Sequence, residues 1–261
     1  ATVCGGEYVS ANGPGSLACA GRSNLANGDS CVNVGGKYNT AKGKASFVGG
    51  GGSNFVHGQF PVCVGGQANT ANGDYSAIGG GQANQVDMQY STIGGGRSNT
   101  LVAEYGFIGA GELNFGSAMH VVIGGGERNT ALGPFSTISG GYSNMIQNPG
   151  KYGAVGGGIS NTAAAYGSTV AGGAYNVALT YGAIVGGGNG NSAVGTGATI
   201  SGGKLNFAGA NRSTICGGAR NSVTHSHGTI SGGYGNRVQG DLAFVGGGVY
   251  NTANGVRAFV G

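Results

Sequence analysis

The sequence predicts an all-β fold, a parallel β-solenoid of about 17 coils with a 15-residue repeat, running as one continuous domain over residues 1–261. Three observations predict it. An asparagine returns every 15 residues, a β-branched residue returns at the same period, and glycine supplies 63 of 261 residues. Glycine costs about 1 kcal/mol relative to alanine at each helical position, so helix is excluded almost everywhere.

The asparagines are Asn24, Asn39, Asn54, Asn69, Asn84, Asn99, Asn114, Asn129, Asn144, Asn161, Asn176, Asn191, Asn206, Asn221, Asn236 and Asn251. Each is preceded three residues back by glycine, from Gly21 to Gly248. One step is two residues longer, and the insertion falls near 148–150, at Asn148-Pro149-Gly150, where a turn absorbs it. A degenerate first coil spans 1–23, with Val9 in the asparagine's place.

With asparagine as position one, position three is small and apolar (Ala41, Val56, Ala71, Val86) and position five is mostly glycine (Gly28, Gly43, Gly58, Gly73). Position eight is small (Ser46, Ser76, Ser91) and position ten β-branched (Val48, Ile78, Ile93, Ile108). Strand side chains alternate, so eight and ten face inward and seven and nine outward. Two short strands follow, near positions one to three and seven to ten. One turn surrounds the position-five glycine and another the glycine pair at twelve and thirteen, where positive φ or close backbone approach is needed. One coil cannot bury its own face; stacked coils can, at about 4.8 Å per coil. The sixteen asparagines then form an inward structural amide ladder that satisfies turn backbone groups.

Composition narrows the class. Charged residues make up only 8% and mean hydropathy is zero, which is not the signature of a disordered chain. Collagen is excluded by runs such as Tyr90-Ser91-Thr92-Ile93, and no apolar stretch is long enough for a membrane-spanning helix. A net charge of +4 is modest and names no acidic partner, and nucleic acid is not expected as one. No nucleophile–base–acid set or phosphate loop is visible, so the chain is expected to be neither an enzyme nor a carrier of cofactor or metal.

The run Ser76-Ala77-Ile78-Gly79-Gly80-Gly81-Gln82-Ala83-Asn84 resembles the YadA-type (Hep/Hag) head repeat of trimeric autotransporter adhesins and related extracellular fibre proteins. Ile123-Gly124-Gly125-Gly126-Glu127-Arg128-Asn129-Thr130-Ala131-Leu132-Gly133 matches it as well. The resemblance covers essentially the whole chain from Gly5 onward and implies a left-handed parallel β-roll, usually three chains side by side, on a bacterial surface or a phage fibre. That family's repeat is nearer 14 residues, and no heptad stalk or membrane anchor appears here.

Position seven carries an aromatic ladder, Phe60, Tyr75, Tyr90, Tyr105, His120, Phe135 and Tyr152, which Tyr166 and Tyr181 continue one place earlier. Stacking, a seam against another chain and a glycan platform are all open readings of it. Position nine is outward yet apolar (Phe47, Val62, Phe107, Val122, Ile184, Phe244, Phe259), with Thr137, Thr169, Thr199, Thr214 and Thr229 among them. Position two adds Leu25, Phe55, Phe115, Met145 and Phe207. Such columns favour association. Basic residues gather at positions fourteen and fifteen, acids at six, and Glu112 and Glu127 share a column beside Arg97 and Arg128. His225 and His227 have no nearby partner for a transition metal. Cys4 and Cys19 lie one period apart, within reach of a disulfide, whereas Cys31, Cys63 and Cys216 have no obvious mate.

The expected function is a structural extracellular fibre or filament subunit, or an adhesin head segment, that self-associates as trimer or filament and meets glycans or a host or matrix surface. The alternative is a carbohydrate- or ice-binding solenoid module. The repeat reaches Phe259-Val260-Gly261, and an uncapped terminal coil favours end-to-end contact.

Overall fold

The computed structural model describes residues 1–261, all-β and without a helix. It is a β-solenoid of about 17 turns with two parallel sheets, one from positions two and three and the other from positions nine and ten. Two compact units make up the chain, Ala1–Arg128 and Asn129–Gly261, and the same coil builds both.

In the first unit Leu25–Ala26 pairs in register with Thr40–Ala41, and Thr92–Ile93 with Phe107–Ile108. In the second, Thr199–Ile200 pairs with Thr214–Ile215 and Ser222–Val223 with Arg237–Val238. A third line of parallel bridges runs along position fourteen, as in Gln82 to Arg97. The two-residue insertion leaves register intact. Met145–Ile146 still pairs with Thr162–Ala163, while Gln147 to Gly150 turns back on itself through a Gly150 N–H to Gln147 C=O bond of 2.6 Å.

The strands are shorter than their hydrophobic pattern predicts, and the hydrogen bonds give the reason. Ladder N–H groups donate to the coil that follows, as Thr70 does to Asn84 C=O (2.8 Å) and Ala77 to Ser91 C=O (2.9 Å). At positions seven and fifteen the direction reverses: Tyr90 N–H reaches back to Asp74 C=O and Ala83 N–H to Gln67 C=O, both at 2.9 Å. Those residues are left-handed, with φ of 56° at Tyr90 and 54° at Ala83, which turns the N–H to the other side of the chain. Position eight then closes a local turn, as Ser76 N–H does onto Gly73 C=O at 3.2 Å. Only two residues per side remain for the regular ladder.

Position one is satisfied by a side chain. Asn84 N–H donates to Asn69 Oδ1 at 3.0 Å, and Asn84 Oδ1 accepts the N–H of Asn99 at the same distance. The Asn84 Nδ2 donates to Gly80 C=O (3.0 Å) and Gly96 C=O (2.9 Å), so one amide ties the turns of two coils together. The glycine three residues before each asparagine follows from this. At Gly81, φ is +89°, and a Cβ would sit 2.1 Å from Gly96 O and 2.8 Å from Asn84 Nδ2. At position five Gly43 is required for a different reason: it has no positive φ, but a Cβ there would lie 1.7 Å from Gly58 O, whereas other coils admit Met88, Ala103 or Thr180 at that position.

The core is a stack of single side chains. Ile78, Ile93 and Ile108 are fully buried in one column, and Ala71, Val86 and Leu101 in the other. Leu101 is oversized for its column, and Gly106 and Gly116 make room, each placing a would-be Cβ 2.8 Å from its Cδ1.

Replacing Asn84 with alanine should cost about 3 kcal/mol or more, because buried partners of the amide are left unpaired. Asn84→Asp should be worse at neutral pH, since a carboxylate would face two carbonyl oxygens. Its folded-state pKa would be raised, so the Asp variant should lose stability as pH climbs above about 4. Chemical unfolding of the two variants across pH 3–7 checks both the order and the slope.

Candidate functional site

The exposed columns are the candidate site, and the ladder at position seven is the most regular. In the first unit the ring centroids of Phe60 and Tyr75 are 5.1 Å apart, those of Tyr75, Tyr90 and Tyr105 5.0 Å apart, and those of Tyr105 and His120 4.9 Å apart. Interplanar angles between the tyrosines are only 5°, so the rings stack with an offset and cover part of one another's faces. Tyr75, Tyr90 and Tyr105 all remain exposed.

In the second unit Phe135 and Tyr152 are tilted at 34° (5.4 Å), and Tyr152 meets Tyr166 edge-on at 82° (5.3 Å). Tyr166 and Tyr181 stack again at 7° and 5.2 Å. The edge-on contact marks a change of attachment. Tyr152 is itself left-handed (φ 59°), whereas at the next two coils Gly167 and Gly182 take the left-handed position (φ 63° each) and the ring comes from the residue before. The left-handed backbone of this ladder was missed in the sequence. The available signal was glycine at Gly15, Gly167, Gly182 and Gly197 in a column that elsewhere holds Ser30, Ala45 and large side chains.

Positions nine and two point outward. Phe107, Val122, Phe115, Ile184, Met145 and Phe207 are all exposed. Phe107 pairs directly with Val122 in the first unit, and Phe244 with Phe259 in the second, where the rings stack at 5.2 Å.

The asparagines lie inside. From Asn24 to Asn236 they are buried, and Asn251 forms the same bond from its N–H to Asn236 Oδ1 at 2.9 Å. Position-six acids close the turn beside the ladder: Asp74 Oδ1 accepts Gln59 N–H at 2.7 Å, and Asp241 Oδ1 accepts Ser226 N–H at 2.9 Å. Along position fourteen Glu112 pairs with Arg97, and Glu127 with Arg128, so each of the two neighbouring carboxylates has its own cation. These pairs are exposed and worth under about 1 kcal/mol each. His225 contacts Thr224 (3.2 Å) and His227 contacts Arg212 (3.5 Å), so each imidazole engages its own neighbour.

The expected Cys4–Cys19 disulfide is absent, and all five cysteines are free. The two do share a column, and the neighbouring Cys4 thiol, with some desolvation, holds the Cys19 thiol above its ordinary pKa. In-register parallel neighbours point their Cα–Cβ bonds the same way. Their Cβ atoms then stay near the coil rise of about 4.8 Å, where a disulfide prefers 3.5–4.5 Å. Cys31 and Cys63 are buried, with sulfur contacts to Ala41 C=O (3.4 Å) and Gly65 C=O (3.5 Å). Burial pushes both thiols up, Cys63 to about 11.

Two measurements follow. Tyr90→Gly loses the ring but frees the strained backbone, whereas Tyr90→Ala loses the ring and keeps the strain. The alanine variant should therefore be the less stable by about 1 kcal/mol, the reverse of the usual order, in thermal or denaturant unfolding. At pH 8 iodoacetamide should label the exposed Cys4 and Cys216 and spare Cys31 and Cys63 until the chain unfolds, as peptide mapping would show. Modification of Cys63 at the rate of Cys216 would contradict its burial.

The chain matches no protein-family model and no curated protein by sequence, so the head-repeat resemblance rests on the residues quoted for it.

Proposed function

We propose that this chain is a structural element of an extracellular fibre or adhesive surface layer, and that copies associate laterally through the outward apolar columns. One observation carries the reading: apolar side chains occupy adjacent coils in strict register on outer faces, as Phe107 beside Val122 and Phe244 beside Phe259. Isolated exposed hydrophobics are ordinary on a soluble protein, but rows of them mark contact surfaces. A second copy suits such rows because its own columns repeat at the same rise of about 4.8 Å, so a fit at one coil is a fit at the next. The ring ladder supports the same reading. With part of each face covered by its neighbours, the tyrosines offer less to a sugar than free rings would, and more to a packed seam. Location outside the cell belongs to this proposal and is supported by the head-repeat resemblance.

Thr199, Thr214 and Thr229 form a short outward row and favour the second reading, an ice- or carbohydrate-binding face. The row spans three coils between Ile184 and Phe244, which makes it the weaker reading.

Light scattering after size exclusion, with electron microscopy of the same fractions, decides between them. The expected result is a closed oligomer or a filament at micromolar concentration. Phe107→Ser with Val122→Ser should shift the population toward smaller species without lowering the coil's β content. A wild-type chain that stays monomeric at micromolar concentration would overturn the proposal.

A further inference from the structure

The net charge of +4 conceals an uneven division. Residues 1–128 hold six Lys and Arg against seven Asp and Glu. In residues 129–261, Lys151, Lys204, Arg212, Arg220, Arg237 and Arg257 stand against Asp241 alone. All three ion pairs belong to the first unit. Five of the six cations in the second unit fall between residues 204 and 257, all exposed, and none is paired with a carboxylate. Asp241 spends one carboxylate oxygen on the Ser226 N–H.

These five side chains gather around one ladder. Phe207, Ser222, Arg237 and Thr252 are consecutive outward residues of that ladder. Lys204 and Arg220 lie on the turns entering it, and Arg212 and Arg257 on the position-seven column just beyond it, with His227 between them in sequence. Aromatic groups are interleaved. Phe207 and Tyr250 are exposed, and the Arg220 guanidinium lies over the Tyr234 ring (5.7 Å) while donating to its hydroxyl at 2.8 Å.

We infer that this face binds an extended acidic polysaccharide, a chain of sugars bearing sulfate or carboxylate groups. A compact set of unneutralised cations on a fixed scaffold attracts a polyanion and gains by releasing its counterions. Lys204, Arg220 and Arg237 stand at positions fourteen, fifteen and two, each about one coil and 4.8 Å beyond the last, so they make a short, near-straight row that an extended chain can follow from cation to cation. A nucleic-acid duplex winds its phosphates away from a straight row after a few contacts. Exposed rings beside the cations suit a ligand with an apolar face as well as an acidic group. The inference does not depend on self-association, since it concerns one coil face and its charge.

The test uses the full chain with dextran sulfate, polygalacturonate, neutral dextran and a DNA duplex, by calorimetry or fluorescence anisotropy over a salt series. Binding of either acidic glycan, and not of neutral dextran, is expected, with affinity falling as salt rises. Arg212→Gln with Arg220→Gln and Arg237→Gln should weaken it at least about tenfold and reduce the log–log salt slope by about two. Arg22→Gln with Lys37→Gln and Lys44→Gln, which removes the same charge from the first unit, should change affinity less than about twofold. Lys204→Gln with Arg257→Gln, whose side chains make no hydrogen bond here, should show a loss of its own and guards against misfolding of the triple variant. No binding of either acidic glycan at low salt overturns the inference, as does an equal loss in both triple variants. Tighter binding of the duplex than of both acidic glycans would also overturn it, in favour of a polynucleotide.

Discussion

The side chain on which each coil depends is the buried asparagine amide. A coil of 15 residues must turn sharply, and sharp turns leave peptide groups aimed inward with nothing to bond. The amide has two donors and one acceptor on a short stem, which is the set a turn between two coils requires. Asn84 uses them on the carbonyls of Gly80 and Gly96 and on the N–H of Asn99. Aspartate lacks the donors and glutamine is one methylene too long for this position. Fixing the amide fixes the backbone around it. The residue before each asparagine is left-handed, so its N–H leaves the ladder direction, and the glycine two residues earlier has no room for a Cβ beside the amide nitrogen.

Strict register has a second consequence, that no residue acts singly. Each side chain belongs to a column, and its neighbours lie one coil rise away. A row of isoleucines becomes a core, and tyrosines become a stack. Like charges become a repulsion, of nearly 1 kcal/mol for an adjacent pair even in water. The 8% charged content fits that arithmetic, because few columns could bear a charge in every coil. Where like charges do adjoin, as Glu112 and Glu127, an arginine stands beside each.

Much of this was legible in the sequence. The 15-residue period, the inward Ile and Val columns and the outward rings follow from spacing alone, since two residues one period apart share a column in any solenoid of that period. What hid was backbone handedness. Tyr90, Ser98, Leu113 and Arg128 have no residue type in common, yet all are left-handed, because the ladder's hydrogen bonding sets φ there rather than side-chain preference. Strand length hid with it, as those reversals cut each strand to two residues. Cys4 and Cys19 were rightly placed in one column, but spacing along an axis says nothing of Cβ direction, and parallel Cβ vectors do not bring two sulfurs to bonding geometry. The charge division escaped a single net value, which does not say that nearly all the excess of cations belongs to the second unit.

The two left-handed columns also explain where variation is tolerated. At positions seven and fifteen the backbone N–H is tied to a main-chain carbonyl of the preceding coil, and the side chain projects outward with no core contact to satisfy. Position seven reads Tyr, His, Phe, Gly, Ser, Ala, Arg or Leu, all with positive φ, while position one is asparagine in every coil from Asn24 to Asn251. Changing a residue there alters the surface without altering the coil. A stacked ring ladder in the first unit and the run Arg212, His227, Leu242 and Arg257 in the second are written in the same column of the same repeat. The core supplies a periodic support, and the left-handed corners carry whatever distinguishes one stretch of the surface from another.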